Sequence, residues 1–320
     1  MSATTILITS TGEAELLRHS LPAALAQDGA DVVVVDNGCV DDTSAVAEEH
    51  GVRVIRFAER TQYCALTNAA IAATAGDALL LLNADCFLEP GFLAAARRRL
   101  DEPGVGSVAP KLLRALGPDR SQRLDAIDAA GMVVDRRRKN TLVGHGRPGL
   151  AYDRSGEAFG ADGAAALYRR ETLEQCALEG EVFDPDFERW ASDVDLAWRA
   201  RLLGWRCVYE PLAVAYHVRW YSPSTRAGMP ERDRRMQFRN RYLMMVKNDT
   251  AHGLVHDLPR IAAWEIAALG YALVRERHLL GAYREALELL PGARRRRRLV
   301  QAARRSAGVD EVPFGLEVPA

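Results

Sequence analysis

Cysteine is scarce and scattered. The five residues Cys39, Cys64, Cys86, Cys176 and Cys207 are odd in number and show no CxxC spacing. That argues against a disulfide framework or a thiolate zinc cluster and points to a reducing, cytoplasmic compartment. Long apolar runs are missing too. No stretch reaches the ~20 residues that span a bilayer, and the nearest candidate, 261–274, is interrupted by Glu265. The first residues carry neither a basic region nor a long apolar one, so no secretory leader is expected there. Neither sign of charge is in excess: 42 Lys and Arg face 43 Asp and Glu, for a net charge of -1, which gives no overall pull toward nucleic acid. A glycine-rich GxGxxG loop is absent at 9–13, where a nicotinamide dehydrogenase would want one.

What is present is a globular balance, 48% hydrophobic and 27% charged over 320 residues, enough for one large domain or one domain with an appendage. Apolar runs of strand length at 5–8, 31–35, 52–57 and 78–82 alternate with helical patterns at 14–25, 42–50 and 67–75. Continuous rather than alternating apolar strands imply burial on both faces. With helices between them they predict an α/β fold on a parallel sheet built from right-handed βαβ units. Ligands of such sheets bind beyond the carboxyl ends of the strands, where Asp36 and Asp85 stand. Residues 105–160 read as strands and loops along one side of a cleft. Within them the charge run 136–139 is expected to be a solvated loop, or a basic loop that closes over a ligand. A strand at 163–168, a helix at 192–203 ended by Gly204 and a strand at 205–209 follow.

From 226 onward arginine, leucine and alanine recur with helical spacing, and 294–298 is five arginines in a row. The division expected is therefore 1–225, catalytic, and 226–320, a basic helical segment. That segment suits a cap packed on the first domain or an amphipathic anchor on an anionic membrane surface. No aromatics interleave with the arginines, which argues against nucleic acid as a partner.

Three acidic motifs carry the chemistry: Asp36-Asn37-Gly38, Asn83-Ala84-Asp85 and Ser192-Asp193-Val194-Asp195. A carboxylate at a strand end can accept hydrogen bonds from a base or ribose. A second can hold a divalent cation against a diphosphate, because hard cations prefer oxygen. A third can take a proton from a hydroxyl. His217, after an apolar run, can join the metal site as a neutral imidazole. At ~100° per residue Asp193 and Asp195 cannot share a helix face. Ser192-x-x-Asp195 is a variant capping box, which leaves the cleft to Asp193, and Asp195 can also pair with Arg199.

In this order the motifs resemble the family-2 glycosyltransferases of the GT-A fold, including rhamnosyltransferases. The resemblance covers roughly residues 4–222. It rests on Asp36-Asn37-Gly38 with Asp41-Asp42-Thr43 behind it, Asn83-Ala84-Asp85 with Glu89-Pro90, Gly163 to Arg170, Asp193-Val194-Asp195-Leu196-Ala-Trp198-Arg199, Gly204-Trp205 and Tyr216-His217. It implies a mostly parallel mixed sheet flanked by helices, with a helical C-terminal extension. It further implies that Ser10, Thr11, Asp36, Asn68 and Asn83 line a nucleotide-sugar site for a dTDP- or UDP-sugar. Asp85, and His217 as a further contact, would hold Mg²⁺ or Mn²⁺. Asp193 would be the catalytic base of an inverting transfer to a glycan or lipid-linked acceptor, in the cytoplasm or at the inner face of the plasma membrane. The chain departs from the family at Ser192, where a glutamate is usual, at Thr11, and at Tyr63-Cys64-Ala65. The rival expectations are a nucleotide-sugar-binding protein without catalysis and a sugar-phosphate nucleotidyltransferase, the latter disfavoured by the absent glycine-rich loop.

Overall fold

The uninterrupted apolar runs become interior strands. The computed structural model describes residues 4–221, 225–316 and 318–320. In it β1 (Thr4–Ser10), β2 (Ala30–Asn37), β3 (Arg53–Phe57) and β4 (Ala78–Asn83) lie parallel in the order β3-β2-β1-β4. Three helices connect them: α1 (Ala14–Leu25), α2 (Thr43–Glu49) and α3 (Tyr63–Ala72). Alternate residues of each strand feed two apolar layers. Leu7, Val33, Val35, Leu79 and Leu81 join α3 through Leu66 on one face. Ile6, Ile8, Val32, Val34, Leu80 and Leu82 meet Leu17 and Leu21 of α1 on the other.

Beyond β4 the sheet becomes mixed. Next along the chain come β5 (Cys86–Leu88), α4 (Phe92–Leu100), β6 (Val105–Ala115), β7 (Arg123–Ala129), β8 (Met132–Val134), β9 (Asn140–Leu142) and β10 (Gly156–Ala158). They are followed by β11 (Ala165–Arg169), α5 (Arg170–Cys176), α6 (Ser192–Leu202) and β12 (Arg206–His217). The full order is β10-β12-β6-β11-β4-β1-β2-β3, with β5 on β12 and β7 on β6, while β8 and β9 form a separate hairpin. β11 runs antiparallel between β4 and β6, and β12 runs parallel to β6. The strand expected at 205–209 continues to His217, which carries that side chain back to the carboxyl end of β4 through the β5 pairing. Gly204 ends α6 in the left-handed conformation, at φ +86°, as its place in the sequence predicts.

The C-terminal part is helical: α7 (Glu231–Asn248), α8 (Ala251–Val274) and α9 (Leu280–Ala307). Its attachment corrects one expectation. The 136–139 run is solvated only in part: Arg136 and Arg137 are exposed, but Arg138 is not. Arg138 is fully buried at φ +63° and lies between Asp249 (Nε to Oδ2, 2.8 Å) and Asp257 (2.7 Å), tying the start of α8 to the sheet domain. The five-arginine run also packs inward in part. Arg295 pairs with Glu179, Arg296 with Asp184 and Asp186, and Arg297 donates to the carbonyls of Val246 and Asp249. α9 packs mainly on α7 and also touches α6. Among the described residues no helix is long and apolar enough to cross a membrane.

Candidate functional site

The carboxyl ends of β1, β2 and β4 open on the same side of the sheet. After β1, Ser10 is fully buried, and its hydroxyl lies 3.0 Å from that of Thr43. Exposed Thr11 is held by Glu13, through its amide (2.5 Å) and its hydroxyl (2.6 Å). Asp41 accepts the Ala14 amide at the start of α1 (2.9 Å) and both the amide and hydroxyl of Thr43. Burial works against its charge, but these bonds prevail and hold its pKa below the usual value. After β2, Asp36 is buried, with one oxygen accepting the Cys39 amide (2.8 Å) and the other the Ser44 hydroxyl. Asn37 clasps the backbone of Thr61 with both ends of its amide (2.9 and 2.8 Å). Gly38 sits at φ +62°, where a Cβ would come within 2.7 Å of the Arg60 nitrogen, so the Asp36-Asn37-Gly38 turn needs its glycine. A cavity of ≈ 350 Å³ opens beside this loop between residues 12–16, Asp41, Asp42 and Trp220.

After β4, Asn83 is half-buried and its backbone amide bonds Ala164 (2.9 Å). Asp85 is buried, and its Oδ1 accepts no hydrogen bond although His217 Nε2 stands 3.4 Å away. The other ring nitrogen of His217 bonds Asp128 (2.8 Å). Asp128 also receives Arg219 (2.8 Å), and Arg219 reaches Asp162 (2.9 Å). One buried ionic chain therefore runs from Asp85 through His217, Asp128 and Arg219 to Asp162. Burial disfavours charge on Asp128, yet the His217 bond and the Arg219 guanidinium hold its pKa well below the carboxylate range. Burial also opposes charge on His217, but the Asp85 carboxylate and the Asp128 bond raise its pKa to about 9. In its protonated form the ring can meet a diphosphate oxygen. Only its neutral form has a lone pair for a metal.

An orphaned buried carboxylate oxygen suits a divalent cation, so Asp85 fits the expected metal. Among the described residues no cluster of three or more His, Cys, Asp or Glu converges on one point. A cation here would draw most of its ligands from a diphosphate and water, as Mg²⁺ does at phosphate sites.

Asp193 lies in the first turn of α6, against the Gly163 backbone that follows Asp162. Its oxygens accept the amides of Gly163 (3.2 Å) and Val194 (2.8 Å). No arginine or lysine pairs with it among the described residues, and burial followed by the charge of Asp162 raises its pKa to about 6. The turn that delivers it is strained: Glu188 and Ala191 take positive φ, +59° and +60°, a conformation that costs non-glycine residues roughly 1–2 kcal/mol each. α7 holds that turn in place. Asn240 donates to the carbonyls of Phe187 (2.8 Å) and Trp190 (2.7 Å), and Arg239 pairs with Glu188 (3.1 Å).

Two expectations meet a different local structure. The Ser192–Asp195 capping box does not form. Ser192 donates to the Arg189 carbonyl (2.7 Å), and Asp195 is taken by Arg199 (2.9 Å), Lys247 (3.0 Å) and Asn248 (2.8 Å). Arg199, the expected partner four residues on, and Lys247 from α7 outcompete the α6 amides for that carboxylate. Asn68 spends both ends of its amide on the backbone of Phe183, each at 2.8 Å, so it braces the 183 loop. Asp128, Asp162 and Arg219 were not anticipated. The one available signal was the spacing of His217 and Arg219, which puts both on the same side of an extended chain.

The comparisons with known proteins bear on the family and the fold. The model of the family described as glycosyl transferase family 2 matches residues 5–176. An uncharacterised protein, y4gI of Sinorhizobium fredii, is 28% identical over 267 residues, covering 77% of this chain and 27% of that protein. The chain spans about a quarter of the length of the curated relatives it matches. TarS residues 1–349 of S. aureus, solved with UDP-GlcNAc, superimposes with a TM-score of 0.59 at 16% identity, over 95% of this chain and 88% of that one. A mannosyltransferase of Pyrobaculum calidifontis, solved with GDP-Man and Mn²⁺, gives 0.50 at 20% identity, over 97% and 88%. At these identities the structural likeness speaks for the fold, and the fold is of the GT-A type.

Proposed function

Because the chain belongs to glycosyl transferase family 2, we propose that it moves a sugar from a nucleoside diphosphate to an acceptor hydroxyl, inverting the anomeric carbon. The donor site is the crevice beyond β1, β2 and β4. The loop of Ser10 and Thr11, Asp36 and Asn83 face the nucleotide, and protonated His217 faces the diphosphate. A divalent cation, Mg²⁺ or Mn²⁺, held by Asp85 would neutralise charge developing on the departing diphosphate. Asp193 removes the acceptor proton as that oxygen attacks the anomeric carbon. The bond from that carbon to the diphosphate breaks, and its electron pair leaves on the diphosphate. A single displacement needs no enzyme nucleophile.

The observation that carries this reading is Asp193, a carboxylate without a cationic partner among the described residues, whose pKa is raised to about 6, close to working pH, where a general base is most effective. The donor class is a dTDP- or UDP-sugar, a deoxysugar such as rhamnose or a hexose. The acceptor is a glycan or lipid-linked glycan in polysaccharide or glycolipid assembly, on the cytoplasmic side. Thermal-shift measurements against UDP, dTDP and GDP, with and without Mn²⁺, test the donor site, since a ligand of the folded state raises its stability. A metal-dependent shift for one nucleotide, lost in Asp85→Ala, is the expected result. A flat response across nucleoside diphosphates would overturn the reading. Transfer abolished by Asp193→Asn would exclude a protein that binds donor without turning it over.

A further inference from the structure

The loop that enters β11 touches both the donor side and the base of the site. Its Ala164 carbonyl accepts the backbone amide of Asn83 at the end of β4 (2.9 Å). Its Gly163 amide donates to Asp193 Oδ2 (3.2 Å). A Cβ on Gly163 would come within 3.4 Å of that oxygen, so this backbone lies directly against the carboxylate. The side chain that fixes the loop is Asp162, which is buried. Its Oδ1 accepts the Ala164 amide (3.0 Å) and its Oδ2 accepts Arg219 Nη2 (2.9 Å).

Arg219 is itself fixed. Its Nε donates to both oxygens of the fully buried Asp128 (2.8 and 2.9 Å), which also holds His217 beside Asp85. Among the described residues Arg219 is the one cation that pairs with Asp162. One guanidinium therefore serves the metal end of the site and the loop against Asp193. A neutral Asn or Ser would close the same turn on the Ala164 amide, without the desolvation that a buried ion pair costs. The charge of Asp162 is more than the shape of the loop requires.

That charge is felt at Asp193, where it is the largest cause of the raised pKa after burial. Two other titratable groups face Asp193 from neighbouring elements, Tyr63 on α3 and Tyr168 on β11. Burial, and then the charge of Asp193, pushes both upward, so they stay neutral.

We propose that Asp162 is a positioning residue of the transfer: pinned by Arg219, it presents the Gly163 amide to Asp193 and sets a fixed negative charge beside that base. It acts through Asp193 rather than on donor or acceptor. This role rests on the transferase reading, in which Asp193 takes the acceptor proton.

The test is the pH dependence of Asp162→Asn, read in two ways. In kcat/KM for transfer, the acid limb should move down from about 6 by about 0.5–1 pH unit, because a like charge is removed. Burial, the larger cause, should keep it above 3.8. Thermal melts give the second reading, without turnover. The stability gained on Asp193→Asn should level off at a lower pH in the Asp162→Asn background than in wild type. Asp162→Ser keeps an acceptor for the Ala164 amide, carries the same expectations, and takes the place of the Asn variant should that one not fold. A change that only loosened the loop would lower the rate at every pH and leave both midpoints in place, so unmoved midpoints would overturn the proposal. A stability plateau that moves while the acid limb stays would uphold the link from Asp162 to Asp193 and overturn instead the assignment of Asp193 as the base.

Discussion

The two sides of α6 hold carboxylates two residues apart in opposite surroundings. On the inner side Asp195 is surrounded by Lys247, Arg199 and Asn248. Burial works against its charge, but Lys247 and then Arg199 outweigh it, and its pKa is lowered. On the other side Asp193 meets two backbone amides, no cation among the described residues and the neighbouring charge of Asp162, and burial followed by that charge raises its pKa to about 6. A carboxylate held by cations is a structural anion, because the proton it would accept is excluded by its partners. One left without them is a base. The C-terminal helices make this contrast. α7 supplies Lys247 and Asn248 to the inner side, and Arg239 and Asn240 to the strained turn before Asp193.

If the contrast is real, Asp193→Asn should lower transfer by about 10²–10⁴-fold while donor binding, read by thermal shift, persists. On the inner side Lys247→Met should instead cost roughly 3–5 kcal/mol of stability in urea titration, because it leaves Asp184 and Asp195 buried with a cation removed. A loss of turnover in that variant without a loss of stability would blur the distinction.

The pH dependence sharpens it further. As a base, Asp193 must be ionised, so kcat/KM should fall about tenfold per pH unit below its value of about 6 and level off above it. Stability moves the other way. A carboxyl whose folded pKa is raised favours the native state least once pH exceeds that pKa, so wild type bears the cost of ionising Asp193 at pH 8. Asp193→Asn should then be more stable than wild type by up to about 3 kcal/mol. The gain should shrink as pH falls through about 6 toward the unfolded value of 3.8, as pH-dependent thermal melts will check.

The sheet half of the fold was legible because runs such as 32–35 and 78–82 are apolar throughout, which few environments other than an interior strand allow. α4 and α5 were not, being short helices of nine and seven residues whose periodicity is too brief to stand out. At the site, the turn of Asp36-Asn37-Gly38 and the placing of Asp193 and Asp195 on different faces followed from local geometry. Asp128 did not: it lies on β7, 89 residues from His217, and nothing local distinguishes it from Asp125. Arg138 was misjudged for the same reason. Its partners Asp249 and Asp257 lie 111 and 119 residues away, and a charge run reads as solvated until the carboxylates that bury it are known.

The most direct test of the account is the pH–rate profile of sugar transfer by wild type and Asp193→Asn at saturating donor and metal. The account predicts an acid limb near pH 6 in wild type, and in the variant a rate about 10²–10⁴-fold lower that no longer shows this limb. A variant that keeps the wild-type rate, or the same acid limb, would contradict the assignment of Asp193 as the base.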